Sequence, residues 1–158
     1  KTDASSISYI PKKIERINVL HQQLTEKIIS AFYEVSNELG AGFLESVYQK
    51  ALAIALTAKG LSIEEQYPLS VSFRGQIIGQ FFADILVEQT VLVEIKAVSC
   101  LAEIHKAQLI NYIKATGMEI GLLVNFGNQK LEFCRFDNRL EDQKVKKIPF
   151  SPPSSLSL

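Results

Sequence analysis

Asp84, Glu94 and Lys96 stand inside two otherwise apolar runs, "FFADILV" and "VLVEIKAV". Carboxylates bind hard cations through oxygen, and a lysine ammonium holds a phosphate oxygen or a water, so these residue types together suit metal-assisted chemistry on phosphate. Strand alternation predicts that Phe82, Asp84 and Leu86 share one side, and that Leu92, Glu94, Lys96 and Val98 share another. If the connection is the three residues Glu88, Gln89 and Thr90, then Val87 pairs with Val91 and Asp84 falls opposite Glu94. A two-residue loop would part the two acids. Carboxylates facing each other, with Cβ atoms about 4.5–5.5 Å apart, repel. Either one keeps its proton or a cation lies between them, and Mg²⁺ with two carboxylates, a backbone carbonyl and waters fits the second remedy. The competing account is structural, with Asp84 salt-bridged to Lys96 or a distant arginine and Glu94 solvated.

The elements that must position these groups follow from periodicity. Ile17, Leu20, Leu24, Ile28, Phe32, Val35 and Leu39 recur at three- and four-residue steps, which predicts a helix over 14–39 with one buried face. "LGAGF" interrupts it, and a second helix over 44–59 closes at Gly60. Alternating β-branched and aromatic residues over 62–98, broken at "RGQ" and "EQT", predict a three-stranded antiparallel meander, with Pro68 placing the first strand at an edge or a bulge. A helix over 102–116 and two strands within 118–136 complete the order. One domain over 1–150 is expected, followed by a flexible Pro/Ser-rich tail over 151–158.

Two helices add polar stripes to the acidic strands. Glu45 and Tyr48 share a face of the second helix, and His105, Gln108 and Tyr112 recur at three- and four-residue spacing on the third. A cleft lined by both helices is one account. The plain alternatives are a Glu45 that favours the helix dipole, tyrosines buried as core aromatics and a solvated His105.

Composition sets outer bounds. The 158 residues are 47% hydrophobic and 22% charged, ordinary for a folded domain with a real core. Seventeen basic and seventeen acidic residues cancel, so nucleic-acid binding must come from a local patch. No apolar run approaches a membrane span and the first ten residues lack a signal-peptide core, so a soluble, cytoplasmic chain without membrane partners is expected. Cys100 and Cys134 have no metal-ligand spacing and are expected to be reduced and in the core. A homodimer is allowed, though nothing specifies one.

The stretches "GFLESVY", "ADILV", "VEIKAV", "HKAQLINYIKATG" and "GLLVNFG" strongly resemble the GxxExxY protein family, a branch of the PD-(D/E)XK nuclease superfamily, over about residues 28–136. The resemblance implies an α/β (α+β) fold with a restriction-endonuclease-like core, a central mixed sheet with an antiparallel meander flanked by helices. It implies that Asp84 is the motif aspartate, that Glu94 and Lys96 are the (D/E)xK pair, and that Glu45 adds an acidic group from the leading helix. Gln108 and Tyr112 resemble a QxxxY motif beside the active site. Metal would then be held by Asp84, Glu94, the Ile95 carbonyl and Glu45. Ala83 stands where the pattern has proline, and nothing resembles a target-recognition domain. The implied function is a Mg²⁺- or Mn²⁺-dependent nuclease that hydrolyses phosphodiester bonds of DNA, with DNA repair or processing as the implied setting. The alternative is a catalytically silent module of the same fold that binds nucleic acid or a partner protein.

Overall fold

The computed structural model describes residues 12–138, with side chains from His21 onward. The expected tail over 151–158 lies outside the described residues. The order is α1 (Lys12–Leu39), α2 (Glu45–Ala58), β1 (Ile63–Phe73), β2 (Gln76–Val87), β3 (Val91–Lys96), α3 (Glu103–Thr116), β4 (Ile120–Asn125) and β5 (Glu132–Asp137). This is the expected sequence of helices and strands.

The strands form one sheet in the order β1-β2-β3-β4-β5. Neighbours are antiparallel except β3 and β4, which run parallel. Parallel neighbours cannot be joined by a tight turn, so α3 makes the crossover between them. Both sheet faces are covered. Ile85, Val87, Val91, Val93, Ile95, Leu122 and Val124 pack under α1 and α2 with Ile28, Phe32, Leu52 and Leu56. On the opposite face Leu86, Leu92 and Leu123 pack against Leu109, Tyr112 and Ile113 of α3. β3 and β4 are therefore buried on both sides, which is why they read as continuous apolar runs.

Turn chemistry follows the residues. The β1–β2 hairpin closes on Arg74 and Gly75, both at positive φ (49° and 80°), as a two-residue hairpin turn requires. Between α1 and α2, Gly40 and Gly42 take φ of 69° and 110°, which other residues adopt only with strain. Tyr48 locks that turn from below: its hydroxyl donates to the Gly40 carbonyl at 2.6 Å and accepts from the Phe43 N–H at 3.3 Å. Its ring is fully buried and stacks on Phe126 at 4.8 Å. Tyr48 is thus a core aromatic rather than a cleft residue.

The cysteines depart from expectation. Both are unpaired, but Cys100 is exposed and Cys134 only half-buried. Cys100 falls in the connection between β3 and α3, outside the apolar pattern of either element. Among the described residues no helix is long and apolar enough to cross a membrane.

The segment that follows β3 is held by a backbone mimic. Asn125, fully buried at the end of β4, accepts the Val98 N–H at 3.0 Å and donates to the Val98 carbonyl at 2.9 Å. It accepts the Gly127 N–H as well, at 2.9 Å. Gly127 is required here by space: a Cβ would lie 2.2 Å from the Val98 carbonyl oxygen and 2.4 Å from its nitrogen. Because the obstacle is backbone, Gly127→Ala is expected to destabilise by about 1–3 kcal/mol, as overpacking does. A lowered urea midpoint at unchanged m-value is the measurement that checks it.

Candidate active site

β2 and β3 pair through Val87 and Val91, Leu86 and Leu92, and Ile85 and Val93. The three-residue connection over 88–90 sets this register, with Glu88 and Gln89 both at positive φ (51° and 53°). One step further along the ladder stand Asp84 and Glu94, the expected pair. There the backbone pairing stops, and the Asp84 carboxylate substitutes for it: Oδ2 accepts the Ile95 N–H at 2.7 Å. The carbonyl of an extended residue points to the same side as its N–H, so the Ile95 carbonyl also faces the gap between the two strands.

The alternation of faces breaks at this point. Ile63, Ile85 and Val87 belong to the layer under α1 and α2, whereas Tyr67, Leu69 and Ala83 belong to the layer under α3. Both strands of the hairpin change sides between Glu65 and Tyr67 on β1 and between Ala83 and Ile85 on β2. Phe82 is consequently 58% exposed while Leu86 is buried, so Phe82, Asp84 and Leu86 do not share one uniform face. The switch is local, at Gln66 opposite Asp84, where a non-glycine residue takes φ +50°.

Burial dominates the electrostatics. Glu94 is 6% exposed and its Oε1 has no hydrogen-bond partner among the described residues. Desolvation, then the charge of Asp84, pushes its carboxyl up to about 8, against the opposing pull of Lys96 and the Asp84 N–H. Asp84 is raised too, first by burial, with the Ile95 N–H, Lys96 and the Gln66 side chain pulling it down and Glu45 pushing it up. Of the two remedies for facing carboxylates, burial favours the first, because it pushes Glu94 toward its protonated form. The account in which a salt bridge neutralises the pair finds no support, since among the described residues no lysine or arginine forms an ion pair with Asp84 or Glu94.

The remaining expected residues are placed around this pair. Lys96 follows Glu94 on β3, half-buried, and its charge acts on both carboxylates. Glu45 lies exposed in the first turn of α2 and acts on both through space. Among the described residues no three of His, Cys, Asp and Glu converge tightly enough to hold a metal unaided, so Glu45 stands off from Asp84 and Glu94 rather than closing a three-carboxylate cluster. Tyr112 on α3 is 7% exposed, packs its ring on Phe81 at 5.3 Å and accepts from Gln108 Nε2 at 2.8 Å. Burial raises its phenol, the Gln108 hydrogen bond lowers it, and the charges of Glu94 and Asp84 add to the rise. His105 belongs to a helix cap instead: Nδ1 accepts the Ala102 N–H at 3.0 Å.

Two glutamines escaped the sequence patterns. Gln49, one turn beyond Glu45 on α2, accepts from Gln66 Nε2 at 2.7 Å and donates to Glu65 at 3.3 Å. Gln49 could have been found from its four-residue spacing to Glu45, whereas nothing in "EEQYP" marks Gln66.

The sequence profile of the PD-(D/E)XK nuclease superfamily matches residues 22–136. This chain belongs to that superfamily. The five-stranded mixed sheet flanked by helices is the restriction-endonuclease-like arrangement of PD-(D/E)XK proteins, and all six expected site residues lie in the matched stretch. No curated protein matches the chain significantly. A solved structure, the crystal structure of SSO0001, is similar at 18% identity and a TM-score of 0.48, over 58% of this chain and 48% of that one. The chain thus spans about half the length of that relative.

The pH dependence of stability tests the site without any ligand. Glu94 titrates near 4.5 when unfolded and near 8 when folded, so its favourable contribution is complete below pH 4.5 and is lost as pH rises toward 8. Glu94→Gln, neutral throughout, should therefore gain stability relative to wild type by about 2–4 kcal/mol between pH 4 and pH 8. Urea unfolding of both proteins at the two pH values measures this, and a constant difference would contradict it.

Proposed function

We propose that the chain is a metal-dependent nuclease of the GxxExxY branch, hydrolysing phosphodiester bonds of DNA with Mg²⁺ or Mn²⁺. The observation that carries this reading is the buried Glu94 Oε1, without a hydrogen-bond partner among the described residues, one ladder step beyond the last β2–β3 pair and opposite Asp84. A buried carboxylate oxygen left unsatisfied is costly. Together with Asp84 and the Ile95 carbonyl it makes an all-oxygen donor set of the kind hard divalent cations take. The residues therefore fit such an ion, with Glu45 at the start of α2 offering a further carboxylate that would act through water.

When bound, the ion supplies an activated water and charge stabilisation at the scissile phosphate. The protein supplies the rest. Asp84 and Glu94 hold the oxygen ligands in place, and the Ile95 N–H fixes the Asp84 carboxylate. Lys96, beside both acids, orients the attacking water and takes up its hydrogen bond. Tyr112 and Gln108, joined to each other, form the α3 wall and contact the nucleic-acid backbone or hold Lys96 in line.

The second reading, a silent nuclease-fold module that binds nucleic acid or a partner protein, is favoured by one observation: seventeen basic residues against seventeen acidic leave no overall positive field to gather DNA. Calorimetric titration with Mn²⁺ separates the two, because a silent scaffold need not bind metal at this cleft. For the nuclease, Asp84→Ala and Glu94→Ala are expected to lose Mg²⁺-dependent cleavage of single- or double-stranded DNA while remaining folded. Lys96→Ala should lower kcat by about 10²–10⁴-fold. Wild-type protein that is folded and metal-loaded yet leaves DNA and RNA intact overturns the enzymatic reading. Metal affinity should also rise between pH 6 and pH 8, by up to about tenfold per unit, because the cation must displace the Glu94 proton.

A further inference from the structure

Gln66 breaks two rules of a β-strand at once. It takes φ +50° without being glycine, asparagine or aspartate, and it interrupts the β1–β2 ladder between the pairs Glu65 with Ile85 and Tyr67 with Ala83. The residue it would pair with is Asp84. A left-handed conformation at an ordinary residue costs on the order of 1 kcal/mol or more and persists where the surroundings over-determine it. Here the surroundings are identifiable. The Gln66 carboxamide donates to Gln49 Oε1 at 2.7 Å, Gln49 donates to Glu65 at 3.3 Å, and Gln66 stands opposite Asp84 between the flanking pairs, where its side chain favours the ionised form of that carboxyl. On its other side Asp84 accepts the Ile95 N–H of β3, so α2 and β1 meet β2 and β3 around this one carboxylate.

We propose that Gln66 is a positioning residue for metal binding: its left-handed backbone lets both hairpin strands change faces, and its carboxamide, braced by Gln49, holds the Asp84 carboxylate toward Glu94. The proposal rests on Asp84 and Glu94 being the metal ligands. In a regular ladder the backbone of β1 would pair straight past Asp84 and the hairpin would keep Ala83 on the Ile85 face. The switch instead leaves Asp84 outside both neighbouring ladders, so its orientation falls to side-chain bonds. Supporting bonds of this kind around a metal-binding carboxylate commonly govern affinity by about 10–100-fold.

Glycine separates a backbone role from a side-chain role, because it accepts φ +50° without strain and removes the carboxamide. Gln66→Gly, Gln66→Asn and wild type are compared by urea unfolding without metal and by calorimetric titration with Mn²⁺. Gln66→Gly is expected to unfold at the same or a higher urea concentration and to bind Mn²⁺ at least about tenfold more weakly. Gln66→Asn, which tolerates the left-handed region and keeps an amide, should recover part of that loss. In cleavage assays the glycine variant should lose kcat with little change in KM for DNA. A glycine variant that binds Mn²⁺ as tightly as wild type overturns the positioning role. So does one whose urea midpoint falls in step with its affinity, since the residue would then act on the fold. Wild-type protein that binds no Mn²⁺ overturns the proposal together with the metal reading, whereas wild type that binds Mn²⁺ without cutting overturns only the nuclease.

Discussion

Two carboxylates forced toward each other where a β-ladder ends organise this protein. Asp84 and Glu94 are in register, but the strands stop pairing just before them, and one acid replaces the missing backbone bond by taking the Ile95 N–H. The other is driven into the interior, with one oxygen unpartnered among the described residues. Burying charge in this way costs several kcal/mol, so the rest of the fold must supply the stability that the site consumes. It does so through β3 and β4, sandwiched between helical layers and apolar at nearly every position.

The same layers aim the functional groups. α2 brings Glu45 and Gln49 from one side of the sheet, and α3 brings Gln108 and Tyr112 from the other. Neither helix is positioned by its polar residues. α2 is seated by Tyr48, Leu52, Ala53 and Leu56, and α3 by Leu109, Tyr112 and Ile113. Tyr112 packs its ring in the core, and its hydroxyl accepts from Gln108 while feeling the charge of the acidic pair. Behind Lys96, Asn125 pins the chain to β4 through Val98, so the lysine leaves β3 from a fixed base.

Proton and cation are alternative solutions to one electrostatic problem. A carboxyl raised to about 8 is neutral in most of the molecules at pH 7, which relieves the repulsion without filling the site. A divalent ion that displaces that proton recovers the charge of both acids for binding. Lys96 favours the ionised form of each acid, against the burial that raises both.

Much of this arrangement was already legible in the chain. Periodicity marked both leading helices, the meander, α3 and the last two strands, because apolar spacing of 3.6 or 2 residues follows directly from which face meets the core. The acidic pair was legible too, since charges inside apolar strands are conspicuous and a three-residue loop fixes their register. Spacing could not distinguish Tyr48, which locks the α1–α2 turn, from Tyr112, whose hydroxyl meets Gln108, because both sit at helical intervals and only their packing against Phe126 or Phe81 separates them. Nor could it foresee the proton on Glu94 or the switch of faces at Gln66. Burial and hydrogen bonding between strands distant in sequence set both, and these exist only once β1, β2, β3 and α2 have come together. Residue types and order therefore determined which groups can do chemistry, and tertiary packing decided how they face each other and in which charge state.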